Sequence, residues 1–198
     1  MRVVVLCDGQ TEQVLRPAPR AVLDRRTAAE RVGVDTRRLG GSVVRGKLRR
    51  IVALEAGRPD AIGVIGLTDV CPEFQSAEEA KTTRLRLVAD SAGSDRFRAH
   101  VAKFELEAWL MPFGKEIAAS VGVAARAPGG NPGDINDQDP PSKRLQRLYR
   151  LAGTTYQKPR EGAKWLTADR LEVAARACPE LKAFLNSILQ LAGAEPLP

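Results

Sequence analysis

The chain has 198 residues, 43% of them apolar and 28% charged, which suits one compact α/β domain, or one domain with a small annex, and excludes disorder and coiled coil. Its longest apolar run, Ala61 to Leu67, falls far short of the ~20 residues of a membrane helix, and Met1 to Cys7 is too short for a signal sequence, so a cytoplasmic protein with no membrane partner is expected. Net charge is +7, and residues 1–50, with 12 basic and 5 acidic side chains, carry the whole of it, whereas an aromatic content of 5% leaves little for stacking single-stranded bases.

Arg2 to Cys7 is a β-branched run that reads as a buried strand turning at Asp8-Gly9. Thr11-Glu12 opens a helix, kinked near Pro17 and Pro19, that resumes through Val22 to Val32. Val34 to Leu39 reads as an edge strand. Ser42 then caps a helix with Val44, Leu48, Ile51 and Leu54 on one stripe. Ala61 to Leu67, apolar throughout, is expected as a central strand covered on both faces, running into Thr68-Asp69. Ser76-Ala-Glu-Glu79 is a capping-box pattern for a helix reaching about Ser91, Phe97 to Ala102 a further strand, and Phe104 to Met111 a short helix closed by Pro112. Residues 127–141, rich in Pro, Gly, Asn and Asp, form a polar loop, after which Ser142 to Leu151, Ala163 to Ala177 and Glu180 to Leu191 read as helices. Alternating strands and helices imply a small parallel sheet with right-handed crossovers, followed by a helical C-terminal region.

The lone histidine, His100, excludes zinc and iron sites that need two imidazoles, and Cys7, Cys71 and Cys178 lack the spacing of a disulfide framework or zinc ribbon. Any metal here has oxygen ligands. Open parallel sheets bind ligands beyond the carboxyl ends of their strands, and Asp8 follows the first strand and Asp69 the third. Glu12, on the next helical turn, and Glu73, in the loop after Asp69, stand near the same edge. Carboxylates converging in this way suit Mg2+ or Mn2+, with phosphate and water completing the shell. The same acids would equally serve as helix caps, Glu12 for reasons of the helix dipole alone.

Arg45, Lys47, Arg49 and Arg50 lie at the end of the N-terminal quarter, on a helix where i and i+4 share a face; they can meet phosphates, or form a solvated arginine-rich face. Glu105 and Glu107 diverge by about 200° if both are helical, so one of them at most faces an ion. Glu107 is the better placed, because the adjacent Trp109 and Leu110 are expected to be buried; the alternative is a pair of surface acids matched to Lys103 or Lys115. His100 reads as a strand-end polar residue rather than a base. Lys143, Arg144, Arg147 and Arg150 offer either a phosphate contact or the solvated side of a helix whose apolar side is Leu145, Leu148 and Leu151.

Several segments, in order, resemble one family. Cys7-Asp8-Gly9-Gln10-Thr11-Glu12 resembles the acidic-Gly-x-Thr-Glu opening of the Toprim-like proteins called domain of unknown function 4276. Leu67-Thr68-Asp69-Val70-Cys71-Pro72 resembles that family's acidic loop before Cys-Pro, and Phe104-Glu105-Leu106-Glu107-Ala108-Trp109-Leu110 its Glu-Ala-Trp-Leu segment. Pro140 to Leu145, Tyr156-Gln157-Lys158, and Cys178-Pro179 with Phe184-Leu185 resemble its C-terminal half. The resemblance implies a Toprim-like α/β domain over 1–126, the loop 127–141, and a helical region 142–198 packed on the same domain. It further implies a divalent-metal-dependent nuclease, encoded beside AAA-type or overcoming-lysogenization-defect-type ATPases and serving in defence against foreign DNA. By position Asp8, Glu12 and Glu107 are the implied catalytic acids, and Asp8, Asp69 and Glu12 the implied metal ligands.

Two departures stand out. Asp8 is one methylene shorter than the family's usual Glu, which sets its carboxylate back by ~1.5 Å. The family's acid-x-acid pair appears here as Gly66, Thr68 and Asp69, leaving one carboxylate. A non-catalytic Toprim-like protein that binds a partner ATPase or nucleic acid is therefore the second expectation.

Overall fold

The computed structural model describes residues 1–8, 14–15, 17–27, 32–39, 45–69, 76, 78–79, 82, 94–102, 105–124 and 139–198, the side chains of Asp8, Arg45, Gly46, Lys47 and Ser94 excepted. Among these residues four parallel strands, β1 (Arg2–Asp8), β2 (Gly33–Leu39), β3 (Ala61–Asp69) and β4 (Phe97–Ala102), form one sheet in the order β2-β1-β3-β4. Between them stand α1 (Ala18–Asp24) and α2 (Arg45–Ala56); a 3-10 segment (Leu106–Phe113) and α3 (Gly114–Ser120) follow β4, and α4 (Pro141–Leu151), α5 (Lys158–Trp165), α6 (Ala168–Ala177) and α7 (Pro179–Leu191) complete the chain. The fold is α/β: a small parallel sheet flanked by helices, with a helical C-terminal region.

Strand alternation divides the core in two. Val3, Val5, Cys7, Ile65 and Leu67 point to one face, where they pack with α1, the 3-10 segment and α4 to α7. Val4, Leu6, Leu39, Val64, Phe97 and Ala99 point to the other, under Leu48 and Val52 of α2. The strand that reverses the direction of chain progress is β1, with β2 on one side and β3 on the other, so the crevice between β1 and β3 is the switch point where such sheets take ligands.

β4 runs over the expected residues, and β2 lies at an edge of the sheet. The strand expected over 61–67 continues through Asp69, because Thr68 and Asp69 still pair with Val101 and Ala102 of β4. The Ser76 cap is present, with the Glu79 amide donating to Ser76 Oγ at 3.1 Å, while the remainder of that helix lies outside the described residues, as do Ser42, Val44, Cys71 and residues 127–138.

Four expectations need correction. Helix α1 ends at Asp24 and not at Val32, since Arg26 and Thr27 already turn their amides back to the Leu23 carbonyl. Leu54 is 64% exposed; the buried stripe of α2 is Leu48, Val52 and Glu55, whose i, i+4, i+7 spacing follows the helix more closely, with Ile51 partly buried beside it. The segment expected to close at Pro112 passes through it, as a 3-10 turn that runs directly into α3. The helix expected over 163–177 is two, broken where Thr167 is extended (φ −71°, ψ 167°); α5 starts at Lys158, upstream of the expected Ala163, with Pro159 in its first turn.

Candidate active site at the carboxyl edge of the sheet

Asp69 ends β3 at the switch point. Register pairs Cys7 of β1 with Leu67 of β3, so Asp8 follows one residue beyond the last pair and Asp69 two residues beyond, on adjacent strand ends. Asp69 takes the same side as Ile65 and Leu67, toward the 3-10 segment, and its Oδ1 accepts the Leu106 amide at 3.0 Å. That bond anchors the start of the 3-10 segment, whose side chains from Leu106 to Met111 are all buried.

Within this apolar segment Glu107 is 2% exposed, a charged group that only a partner can make tolerable. The partner is Lys158, the first residue of α5: Nζ lies 3.1 Å from Glu107 Oε2 and 3.4 Å from Asp69 Oδ2. One ammonium thus stands between two carboxylates from elements far apart in sequence. The Tyr156 hydroxyl donates to Glu107 Oε1 at 3.4 Å, and its ring meets Tyr149 edge to face, with centroids 5.5 Å apart. Tyr149 in turn donates to Glu161 at 2.6 Å.

Burial pushes the carboxyls of both Asp69 and Glu107 above their ordinary range, against the pull of Lys158. For Lys158 burial acts in the opposite sense, lowering its value, but the two carboxylates together outweigh it and the ammonium is held above its ordinary range. Burial, with the negative charge of Glu107 beside it, raises the Tyr156 phenol far above the usual value, so the hydroxyl stays protonated and remains a donor. Lys158 is the partner of Glu107 Oε2, and Tyr156 of Oε1.

Glu105, two residues before Glu107, is extended (φ −154°, ψ 159°) and turns elsewhere. Its carboxylate accepts the Ser142 amide and the Ser142 hydroxyl, both at 2.9 Å, so it caps the first turn of α4 from across the molecule. The two glutamates therefore do different work, and neither is a surface acid.

Gly66 and Thr68 lie on the opposite face of β3 from Asp69. A Cβ at Gly66 would come within 2.9 Å of Phe97 Cζ in the α2-side core, so a carboxylate there would enter apolar packing and not the Asp69 cluster. A side chain at 66 would need the phenyl ring to shift.

Of the remaining residues singled out in the sequence, Glu12 and Glu73 lie outside the described residues, and Asp8 is fixed by its backbone alone. Arg45 and Lys47 are in the first turn of α2, which in a parallel crossover starts at the same carboxyl edge as Asp69; Arg49 and Arg50, one turn on, are exposed. His100 is a strand residue whose Nε2 lies 2.8 Å from Ser187 Oγ, with its ring edge-on to Phe184. On α4, Arg144 and Arg147 pair with Asp139 at 3.0 and 2.6 Å, and Leu145 and Leu148 are buried, but Leu151 is 57% exposed, since the helix ends there. Cys7 and Cys178 are buried thiols; burial, then Glu180, pushes Cys178 up to about 12.

The residue that sequence reasoning did not assign to the site is Lys158. Its one signal was its place after Tyr156-Gln157 and before a proline that opens a helix.

The donor set fits a hard divalent cation in its chemistry: two largely buried carboxylates bracket a position that a positive charge already fills. Two such ligands, and not three, meet among the described residues. Among the described residues no helix is long and apolar enough to cross a membrane.

The sequence matches the family described as Domain of unknown function (DUF4276) over residues 6–189. A solved structure, the C-terminal region of the OLD protein of Xanthomonas campestris pv. campestris, is 16% identical, with 96% of this chain and 97% of that chain covered and a TM-score of 0.47. Comparison with curated proteins finds no match.

Proposed function

The chain belongs to the DUF4276 family, and on that premise we propose that it is a divalent-metal-dependent hydrolase of nucleic-acid phosphodiesters, with Asp69 and Glu107 as metal ligands. The observation that carries this reading is the pair of carboxylates closing on one buried cation at the carboxyl edge of the sheet. Asp8 and Glu12 complete the proposed ligand and catalytic set from the end of β1 and the residues after it. A bound Mg2+ or Mn2+ would supply charge neutralisation at the phosphate and an activated water. Tyr156 holds Glu107 in place with a proton it does not lose, and the Asp69 bond to the Leu106 amide fixes the segment that carries Glu107.

Substrate affinity comes in this proposal from Arg45, Lys47, Arg49 and Arg50 on α2, which starts at the edge where Asp69 lies. Such contacts read the backbone and not the sequence, and weaken with salt. The partner ATPase and the defence role belong to the proposal through the family resemblance alone.

The test is cleavage of plasmid and single-stranded DNA or RNA by purified protein with Mg2+ or Mn2+. Turnover that chelator abolishes and Asp69→Ala removes is the expected result; turnover unchanged in Asp69→Ala would refute the site.

One observation favours a second reading, a non-catalytic protein that binds an ATPase or nucleic acid. Lys158 already offers both acids a cation of the chain's own, where a metal ion would stand. Robust chelator-sensitive turnover disposes of that reading.

A further inference from the structure

Lys158 occupies its place against the preference of its own helix. It is the first residue of α5, where the helix dipole presents its positive end and disfavours a cation. What holds the ammonium there is the pair of acids, and it holds both at once, through Glu107 Oε2 and Asp69 Oδ2. Lys158 Nζ is the cation that holds Glu107 Oε2, so this ion pair is what an incoming divalent ion has to replace. Gln157, just before the lysine, is extended, and the Lys158 side chain is 21% exposed, so the amine reaches the acids from the molecular surface and has a path back to water.

We propose that Lys158 is a displaceable internal counter-ion: it pairs with Asp69 and Glu107 in the metal-free protein and has to leave them for a divalent ion to bind. The inference rests on the metal reading given above and adds a regulatory element to it. Two cations cannot use the same two oxygens, since at such range in a poorly solvated site their repulsion is large. The lysine therefore sets the metal affinity. It makes metal binding cost the loss of an existing ion pair.

The experiment is calorimetric titration of Mg2+ and of Mn2+ into the full chain as wild type, Lys158→Met, Lys158→Gln, Lys158→Arg and Asp69→Asn, at one pH and ionic strength, with melting temperatures measured with and without metal. Removing the positive charge is expected to tighten metal binding by about tenfold or more, a change set by the buried ion pair that wild type has to break. Metal then raises the melting temperature of the Met and Gln variants by more than that of wild type, by mass action. Lys158→Arg, which keeps the charge, is expected to bind at or below the wild-type affinity. Comparison of Gln with Arg keeps the test decisive should Lys158→Met fail to fold. Wild type that binds metal, with Gln and Met variants that bind it equally or more weakly, would overturn the counter-ion role and leave the metal site standing. Metal bound equally by wild type and Asp69→Asn, or by none of the proteins, would overturn the metal reading and this inference with it.

Discussion

Two glutamates in this protein are almost equally buried and keep opposite company. Glu55 of α2, 3% exposed, sits on the α2 face of the sheet between Arg37 Nη1 at 3.5 Å and Arg58 Nε at 3.3 Å, so one acid has two guanidiniums. Arg37 in turn shares Asp35 with Arg2, and Arg2 also reaches Asp60, a network along the amino-terminal side of the sheet whose outer members touch water. Glu107, 2% exposed, has to share one ammonium with Asp69. The first cluster balances its charge, with Arg2, Arg37 and Arg58 against Asp35, Glu55 and Asp60, and the second has one cation for two acids. Burial of an acid is thus not by itself the mark of a working site. What sets the second cluster apart is its charge, since one ammonium cannot balance two carboxylates.

The comparison can be broken most directly by activity. Removing a metal ligand forfeits several kcal/mol of charge stabilisation, so Asp69→Ala is expected to lower metal-stimulated cleavage by about 100-fold or more, while Glu55→Gln leaves it within about twofold. Equal losses in a plasmid-nicking assay would show that the two clusters do not differ in kind.

Stability offers the next largest contrast. Lys158→Ala strands two acids without their cation and is expected to cost about 3 kcal/mol in urea unfolding at pH 8, whereas Glu55→Ala leaves two half-exposed arginines that water can serve, and costs about 1 kcal/mol. A reversed order would mean that Glu55, and not Lys158, is the central charge of the fold.

The pH dependence sharpens the same point. Asp69 and Glu107 hold their protons in the folded chain to higher pH than in the unfolded one, from starting values of 3.8 and 4.5. Above those values the native state binds more protons than the unfolded state, so stability declines as pH rises until the folded values are passed. Lys158 adds a second decline at alkaline pH: its contribution is complete below 10.5 and is lost as pH climbs through its raised folded value. Asp69→Asn is expected to flatten the acidic limb in melting curves, and an unchanged limb would assign it to other groups. Smallest of all, Leu54→Glu on the exposed side of α2 is expected to stay within about 0.5 kcal/mol of wild type, and a larger loss in urea unfolding would place that residue in an interface.

The strands were legible because their apolar runs are short and end at turn residues, and Asp69 was legible because an acid at the end of a buried strand has nowhere apolar to go. Glu107 was found through its neighbours, Trp109 and Leu110, which are indeed buried. Lys158 was not, because its role depends on a contact across 51 residues to Glu107 and 89 to Asp69, which no periodicity records. Nor could spacing tell that Glu105 would cap a helix 37 residues away. The joint at Thr167 escaped for a local reason: the apolar spacing of α5 and α6 continues across it, and only the backbone turns.

The contact between Gly66 and Phe97 ties the two positions together: a side chain at 66 is accommodated only as far as the ring at 97 gives way, so a smaller residue at 97 is expected to relieve the cost of Gly66→Ala, as a double-mutant cycle in urea unfolding would show.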